Sequence, residues 1–310
     1  MAKVAIVGCG AMGSVYAGLM AHAGHEVYGV TLWPDHAAAI QQKGLRVSGI
    51  SGDKTMRLAA ASTTTDGIGV CDLVIIATKA FDVQAAASAA LSLIGPCTVI
   101  QTIQNGVGSP DTAAQVLPAN QMAVGVVGGY GASVPEPGHA HHNGFEVTWF
   151  AKYAGLSDEQ MEDSADVWRS SGFQVALHDD VRSMVWKKLI MNVAFSGTSC
   201  ATGLTIGQIL ANENAWKVAR ACSEEAVAVC QAQGIDLGLA DPIAHVQNLG
   251  GKIPNARPSM LLDSLAGRHG EIDAINGAIS RLGAELGVPT PVNDVVVAIV
   301  KAKESLISKR

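Results

Sequence analysis

The chain carries little charge and no concentration of one sign. Charged residues occupy 15% of its 310 positions, the formal net charge is -6, and Lys and Arg do not cluster. Because phosphate binding needs clustered cations, we expect no nucleic-acid partner. No apolar run reaches the roughly 18 residues that a membrane-spanning helix needs, so we expect no membrane partner. Hydrophobic residues still make up 48% of the chain, enough for a large buried core in about two domains.

We also expect neither paired cysteines nor a secretory leader. The six cysteines are scattered without any CxxC pair, and Cys9 lies inside a glycine-rich turn. The first residues lack a basic segment followed by a cleavable apolar stretch, and their apolar run is predicted to be the first strand of the fold. We therefore expect reduced thiols and a cytoplasmic protein.

The amino-terminal segment combines a short apolar run at residues 4–7 with closely spaced glycines and a following helical pattern. The turn has the GxGxxG spacing and consists of Gly8, Cys9, Gly10, Ala11, Met12 and Gly13. Strand, tight turn and helix in this order are typical of a dinucleotide-binding, Rossmann-type fold. Gly8 permits the turn, Gly10 lets a pyrophosphate approach the backbone, and Gly13 lets the helix pack on the strand. The alternative is a glycine turn that only packs a helix on a sheet.

Strand-like apolar runs alternate with helical segments over residues 1–180. We predict strands at residues 26–32, 72–79, 97–102, 122–127, 146–153 and 173–177. The alternation predicts an α/β domain with a doubly wound, mostly parallel sheet that is covered on both faces. Ligands of such sheets bind beyond the carboxyl ends of the strands, so we expect the glycine turn, Lys79 and Asn105 to converge.

From residue 181 onward the pattern is helical, with little strand signal. We predict one helix that starts near Arg182, and further helices at residues 218–232, 259–286 and 292–307. Residues 181–310 are therefore expected to form an all-helical domain. A cleft between the two domains is the expected substrate site.

Two groups of polar residues interrupt the apolar faces of these helices. Lys188 and Asn192 are four residues apart and share a face that is otherwise apolar. Ser259 and Glu271 belong to the second group. On pattern alone, Lys188 is either a surface lysine whose stem packs on the helix or a catalytic cation. The second group is either a solvated helix face or part of a site.

Several motifs resemble, in their order along the chain, those of ketopantoate reductases (2-dehydropantoate 2-reductases), and the resemblance covers nearly the whole chain. They are the glycine turn, Ala77-Thr78-Lys79, Gln104-Asn105-Gly106, Pro135-Glu136-Pro137-Gly138, Trp186-x-Lys188-x-x-x-Asn192, Ser259-Met260 with Asp263 and Glu271-Ile272-Asp273, and Pro289-Thr290-Pro291-x-Asn293. The resemblance implies a cytoplasmic, NADPH-dependent oxidoreductase of pantothenate biosynthesis that forms a homodimer. Its reaction would be the reduction of a 2-oxo acid, with 2-dehydropantoate giving pantoate as the leading case.

The resemblance also implies roles for individual residues. Lys188 would protonate the alkoxide as hydride reaches the ketone carbon, and Glu271 would orient Lys188 or the cofactor ribose. The cofactor would be contacted by the glycine turn, Lys79, Asn105 and Glu271. The substrate would be held by Asn105, Lys188, Asn192, Ser196 and Ser259.

The chain departs from the family pattern at three positions. Ser196 stands where the family commonly has a second asparagine, and Ile206 where it often has an asparagine before a glycine. These changes favour a less polar substrate than 2-dehydropantoate. At the end of the second predicted strand, Trp33 occurs without the arginine that NADP enzymes often carry there for the 2′-phosphate. Trp33 either stacks on the adenine or caps the strand. The resemblance favours NADP as cofactor, with NAD as the alternative.

Two other functions and a metal site are alternatives to this hypothesis. One function is that of a paralogous dehydrogenase or reductase for another hydroxy acid or ketone. The other is that of a non-catalytic nucleotide sensor, which would not need Lys188 as a proton donor. His139, His141 and His142 favour a solvated loop over a metal site because no matching set of carboxylates accompanies them. We therefore expect no metal.

Overall fold

The structure, a computed structural model, describes residues 1–129, 131–144 and 147–307. It divides into two compact units, one of residues 1–104 with 109–181, the other of residues 105–108 with the chain from 182 onward. The segment 105–108 thus belongs to the second unit, although both of its neighbours in sequence belong to the first.

The described strands all lie in the first unit. They are β1 (Lys3–Val7), β2 (Glu26–Val30), β3 (Leu45–Gly49), β4 (Lys54–Met56), β5 (Ala60–Ser62), β6 (Leu73–Ile76), β7 (Val99–Thr102), β8 (Met122–Val127), β9 (Ala132–Glu136), β10 (His139–His142), β11 (Thr148–Lys152) and β12 (Val175–Leu177). The strand predicted at residues 146–153 is observed as β11, and Glu146 lies outside the described residues.

Eight of these strands form a large sheet in the order β12-β11-β8-β7-β6-β1-β2-β5. Every ladder from β8 to β5 is parallel, whereas β11 pairs with β8 in the antiparallel sense and β12 is parallel to β11. The α/β fold with a mostly parallel sheet, predicted from the alternating pattern, is confirmed.

Helices cover both faces of the large sheet. The first unit contains α1 (Ala11–His22), α2 (Pro34–Lys43), α3 (Val83–Ala90), α4 (Ser109–Ala114) and α5 (Asp158–Ser170). Alternate residues of β1 point into two different cores: Val4 and Ile6 into the one that holds Trp168 of α5, and Ala5 and Val7 into the one that holds α3. Because neither face is solvated, the central strands β1, β6 and β8 are almost entirely apolar rather than alternating.

A second, smaller sheet was not predicted. Among the described strands β4, β3, β10 and β9 pair in that order, and β3 is parallel to β10 although about 90 residues separate them in the chain. Helix α1 packs on this sheet so closely that a Cβ on Gly18 would meet Val47 and Met56. Pairing between such distant short strands leaves no local pattern in the sequence.

The prediction of a solvated loop at the three histidines is wrong. His139, His141 and His142 form β10, and His142 is fully buried. The turn before β10 contains Gly138 at φ +82°, and the edge position of β9 accommodates Pro135, which cannot donate to a ladder. Within the described ranges, no group of His, Cys, Asp and Glu is arranged to hold a metal ion.

The described part of the second unit is helical. It contains α6 (Val181–Thr202), α7 (Ile206–Ala211), α8 (Glu213–Ala232), α9 (Pro242–Lys252), α10 (Ser259–Leu265), α11 (Asn276–Leu286) and α12 (Pro291–Glu304). Helix α8 begins before the predicted residue 218 because the Asn212 side chain caps it, accepting from the Ala215 N–H at 3.0 Å. No described helix is long and apolar enough to cross a membrane.

The single helix predicted over residues 259–286 is wrong. Helix α10 ends at Leu265, Gly267 adopts φ +64°, and a 3-10 turn at Ile272–Ala274 precedes α11. A left-handed glycine just after the last helical turn is a common way for a helix to end. As a result Glu271 lies at the start of a short turn rather than on a helix face.

Candidate functional site

The glycine turn between β1 and α1 forms an open cradle of backbone. Gly8 adopts φ +103°, and a Cβ there would overlap the backbone of Thr78. A Cβ on Gly13 would overlap the Gly8 carbonyl oxygen, so this glycine is required for helix and strand to approach. A Cβ on Gly10, by contrast, would meet nothing closer than the Gly8 oxygen, at 4.0 Å. The open space at Gly10, beside the N-terminus of α1, fits the approach of a phosphate.

Cys9 contributes only its backbone to this cradle. Its N–H donates to the Val30 carbonyl at 2.7 Å, and its side chain is fully buried beneath the turn. Burial raises the pKa of the Cys9 thiol to about 11, so the thiol stays protonated. Ala11 and Met12 follow in the first turn of α1 and are half-buried. None of the six cysteines, all of which lie in the described part, forms a disulfide.

The carboxyl ends of β6 and β7 present polar groups next to the glycine cradle. The Gln104 side chain donates to the carbonyls of Ile76 at 2.7 Å and Thr78 at 3.1 Å, which fixes the residues that lead into Lys79. Thr78 Oγ1 and Gln104 Oε1 are buried, and neither has a hydrogen-bond partner among the described residues. Buried polar atoms normally have partners, so these two suit a polar ligand held at this edge of the sheet.

Trp33, at the end of β2, stacks on a buried histidine. The two ring centroids lie 5.2 Å apart with 15° between the planes. His36 Nδ1 accepts from the Gly138 N–H at 3.0 Å, so Nε2 is left to donate to Ser14 Oγ at 2.9 Å. Burial lowers the pKa of His36, which is consistent with a neutral ring. Trp33 also occupies the N-cap position of α2, although its side chain makes no capping hydrogen bond.

In the second unit, Lys188, Asn105 and Glu271 form one hydrogen-bonded chain. Lys188 Nζ donates to Asn105 Oδ1 at 2.7 Å, and Asn105 Nδ2 donates to Glu271 Oε2 at 3.4 Å. Glu271 is buried and Lys188 is half-buried. The amide of Asn105 thus lies between a cation and a carboxylate and orients both.

The environment of Lys188 changes its acidity. Burial lowers the pKa of Lys188 to about 8, and the Glu271 charge opposes this shift only in part. An ammonium with a pKa this close to neutrality gives up its proton far more readily than a solvated lysine. This is the property that a general acid needs at physiological pH.

The segment 105–108 reaches this position because of one glycine. Gly106 adopts φ +87°, and a Cβ there would overlap the carbonyl of Ala274. The Val107 N–H then donates to the same carbonyl at 3.0 Å. The backbone of segment 105–108 is therefore docked on the turn that follows Glu271. This role of Gly106 was not predicted from the sequence, although the Asn-Gly pair is a turn signal.

The predicted substrate contacts lie in different environments. On α6, Asn192 is one turn beyond Lys188 and half-buried, and Ser196, a further turn along, is buried. Ser259 is exposed at the start of α10. Ile206, the other departure from the family, packs in the apolar core with Phe195.

Other polar residues of the predicted motifs hold the helices together. Asp263 accepts from Arg268 at 3.0 Å, across the end of α10. Asn293 donates to the Cys222 carbonyl at 3.1 Å and to Glu225 at 2.7 Å, and Asn276 donates to Asn293 at 2.9 Å. These bonds connect α12 with α8 and α11, so the closing motif has a structural role.

Comparison with known proteins identifies the family. Residues 4–155 match the model for "Ketopantoate reductase PanE/ApbA", and residues 180–304 match the model for its C-terminal region. The chain belongs to the ketopantoate reductase family, whose members are oxidoreductases that act on CH–OH groups and bind nicotinamide cofactors.

Individual relatives agree with this assignment over nearly their full length. A 2-dehydropantoate 2-reductase of Streptococcus pyogenes is 28% identical over 306 residues, which cover 98% of this chain and 99% of the relative. A solved PanE/ApbA family ketopantoate reductase from Ralstonia eutropha JMP134 has a TM-score of 0.89 at 33% identity and covers 98% of both chains. The ternary structure of D-mandelate dehydrogenase with NADH and anilino(oxo)acetate has a TM-score of 0.92 at 26% identity, covering 99% of this chain and 100% of that one.

Proposed function

We propose that this protein reduces the keto group of a 2-oxo acid, with 2-dehydropantoate as the leading substrate and pantoate as its product. The bound nicotinamide would supply the hydride. Lys188 would donate the proton that neutralises the developing alkoxide. The chain Lys188–Asn105–Glu271 carries the proposal, because it combines a cation of lowered pKa with two groups that fix its direction.

Lys188, Asn105 and Glu271 would each have a part in the transfer of the proton to the substrate. The Lys188 ammonium polarises a ketone placed against it and stabilises the negative charge that grows on the oxygen. The hydrogen bond to Asn105 uses one Nζ proton of Lys188 and so restricts the directions in which the other two protons can point. Glu271, buried at the other end of the Asn105 amide, favours the protonated lysine. Together they hold the donor in its acidic form at the reacting oxygen.

The remaining predicted site residues would bind the two ligands. The cradle of Gly8, Gly10 and Gly13 and the N–H groups of Ala11 and Met12 would take the pyrophosphate, with Lys79 and the buried Thr78 and Gln104 oxygens at the edge of the same cradle. The substrate would contact Asn192, Ser196 and Ser259. In the described residues Asn192 and Ser196 have no side-chain hydrogen bond, so their polar groups are available to a ligand.

A second candidate is a reductase or dehydrogenase for a different hydroxy acid or ketone. Ser196 is buried and offers a hydroxyl in place of the amide that the family commonly has. D-mandelate dehydrogenase, whose structure this chain also resembles, acts on a hydroxy acid that bears a phenyl ring. A pure nucleotide sensor is disfavoured because it would not require a desolvated lysine held at 2.7 Å from Asn105.

The cellular setting follows from the same proposal. We place the protein in the cytoplasm as a homodimer of pantothenate biosynthesis, with small molecules rather than nucleic acids or membranes as its partners. The resemblance favours NADP as the cofactor, with NAD as the alternative.

A panel of 2-oxo acids, incubated with NADPH and with NADH, tests the proposal. Oxidation of the reduced cofactor is followed by absorbance, and 2-dehydropantoate is compared with 2-oxo acids that lack its distal hydroxyl. Turnover of 2-dehydropantoate supports the leading candidate. Turnover only of less polar acids or ketones supports the second, and cofactor binding without turnover of any member would contradict both.

A further inference from the structure

The end of β2 presents apolar side chains to solvent where the ribose of a bound dinucleotide would lie. Leu32 is 82% exposed and Trp33 is 41% exposed. Between residues 26 and 42 the chain contains no Lys or Arg. An exposed leucine at the end of this strand has no packing role, and it occupies the place at which a cation would meet a 2′-phosphate.

Among the described residues, the elements around this point do not supply the missing cation. Arg57 donates to the carbonyls of Gln41 and Gln42, at the far end of α2. His36 is neutral, because its Nδ1 accepts a backbone N–H. Lys79 follows β6, which is two strands away from β2 and hence about 10 Å across the sheet.

The charge present at this point is negative. Asp35 is exposed in the first turn of α2 and would repel a phosphate dianion there. The adjacent strand β5 ends at Ser62 and is followed by threonines and then Asp66, so it adds no positive charge. A 2′-phosphate at this position would lose hydration without gaining an ionic partner.

We infer that this chain uses NADH rather than NADPH. The inference rests on the proposed function for its assumption that the cradle binds a nicotinamide dinucleotide, and it departs from the NADP preference that the family resemblance implies. A ribose with a free 2′-hydroxyl fits an apolar, neutral rim, whereas the extra phosphate of NADPH needs a cation that this strand end lacks.

Binding measured in the absence of substrate tests the inference. Calorimetric titration of the whole protein should give a Kd for NADH that is lower than that for NADPH by about tenfold, the worth of one unfavourable or missing ionic contact. Equal affinities, tighter binding of NADPH, or binding of neither dinucleotide would overturn it. Tighter binding of NADH without reduction of any 2-oxo acid would support the inference about the cofactor and contradict the proposed substrate.

A variant pair locates the preference at Leu32. Leu32→Arg should tighten NADPH binding by about tenfold and leave NADH binding unchanged, because it adds a cation at the strand end. Leu32→Gln, a polar replacement without charge, should change neither Kd. Both variants lie on the surface, so their unfolding temperatures should match that of the unmodified protein. Tighter NADPH binding in both variants, or in neither, would show that the charge at position 32 does not determine the cofactor preference.

Discussion

Lys188 Nζ and Asn105 Oδ1, 83 residues apart in sequence, are joined by a hydrogen bond of 2.7 Å. The hydrogen-bond partner of Lys188 therefore comes from the short segment 105–108, whose neighbours on both sides in the sequence belong to the first unit. The orientation of the Lys188 ammonium therefore depends on the position of segment 105–108. That position is fixed by the close approach of Gly106 to the Ala274 carbonyl.

Replacement of Lys188 by alanine should lower kcat by a factor of about 100 or more, the usual contribution of a general acid. Cofactor affinity, measured by titration, should change little because Lys188 belongs to the helical unit. Lys187→Ala is the matched control, since that side chain points about 100° away around α6. Near-normal turnover by Lys188→Ala would show that another group donates the proton.

The rate of reduction should fall on the alkaline side of pH 8. Lys188 must be protonated to act as an acid, and its pKa is lowered to about 8. The protonated fraction is therefore complete at lower pH and decreases about tenfold for each pH unit above that value. The measurement is kcat/KM against pH. In Lys188→Arg, whose guanidinium stays protonated, any remaining activity should lack this alkaline limb.

Gly106→Ala should reduce kcat by about 100-fold, because a Cβ would displace the Ala274 carbonyl and shift Asn105 from Lys188. Gly234→Ala is the control: Gly234 also has a positive φ, +68°, but nothing lies within 4 Å of an added Cβ. Both variants should lose stability, Gly106→Ala more than Gly234→Ala because only its Cβ overlaps another atom, and only Gly106→Ala should move the alkaline limb of the pH profile. Equal kinetic effects would assign Gly106 a purely structural role.

Gly10→Val should abolish binding of the dinucleotide and leave the unfolding temperature nearly unchanged. Gly10 has a negative φ, -90°, and an added Cβ faces open space where the pyrophosphate is expected. Gly13→Val provides the contrast, because its Cβ would overlap the Gly8 oxygen and destabilise the fold. Unchanged calorimetric affinity in Gly10→Val would remove the cradle from the proposed site.

Ser196→Asn should shift kcat/KM by about tenfold towards 2-dehydropantoate and away from less polar 2-oxo acids, since it restores an amide to a buried position. Ser196→Leu, whose side chain has the same branched arrangement of four heavy atoms as asparagine but no amide, should not produce this shift. Ile206→Asn does not test specificity, because Ile206 packs in the core and its loss would destabilise the protein. Efficient turnover of 2-dehydropantoate by the unmodified enzyme would show that Ser196 does not weaken binding of this substrate.

The sequence by itself determined much of the local structure of this protein, namely individual strands, turns and helices. Apolar β-branched runs such as Val74-Ile75-Ile76 and the spacing of Gly8, Gly10 and Gly13 depend only on neighbouring residues, and they predicted the strands, the turn and the first helix. The same holds for Lys188 and Asn192, since four residues of helix always place two side chains on one face.

Only the tertiary structure decided which distant residues meet. The pairing of β3 with β10 and the contact of Asn105 with Lys188 join parts of the chain that share no periodicity. The break of the predicted helix at Gly267 placed Glu271 on a turn, because the backbone at φ +64° could not continue the helix. Desolvation in turn sets the pKa of Lys188, and burial is a property of the packed chain that no local pattern contains.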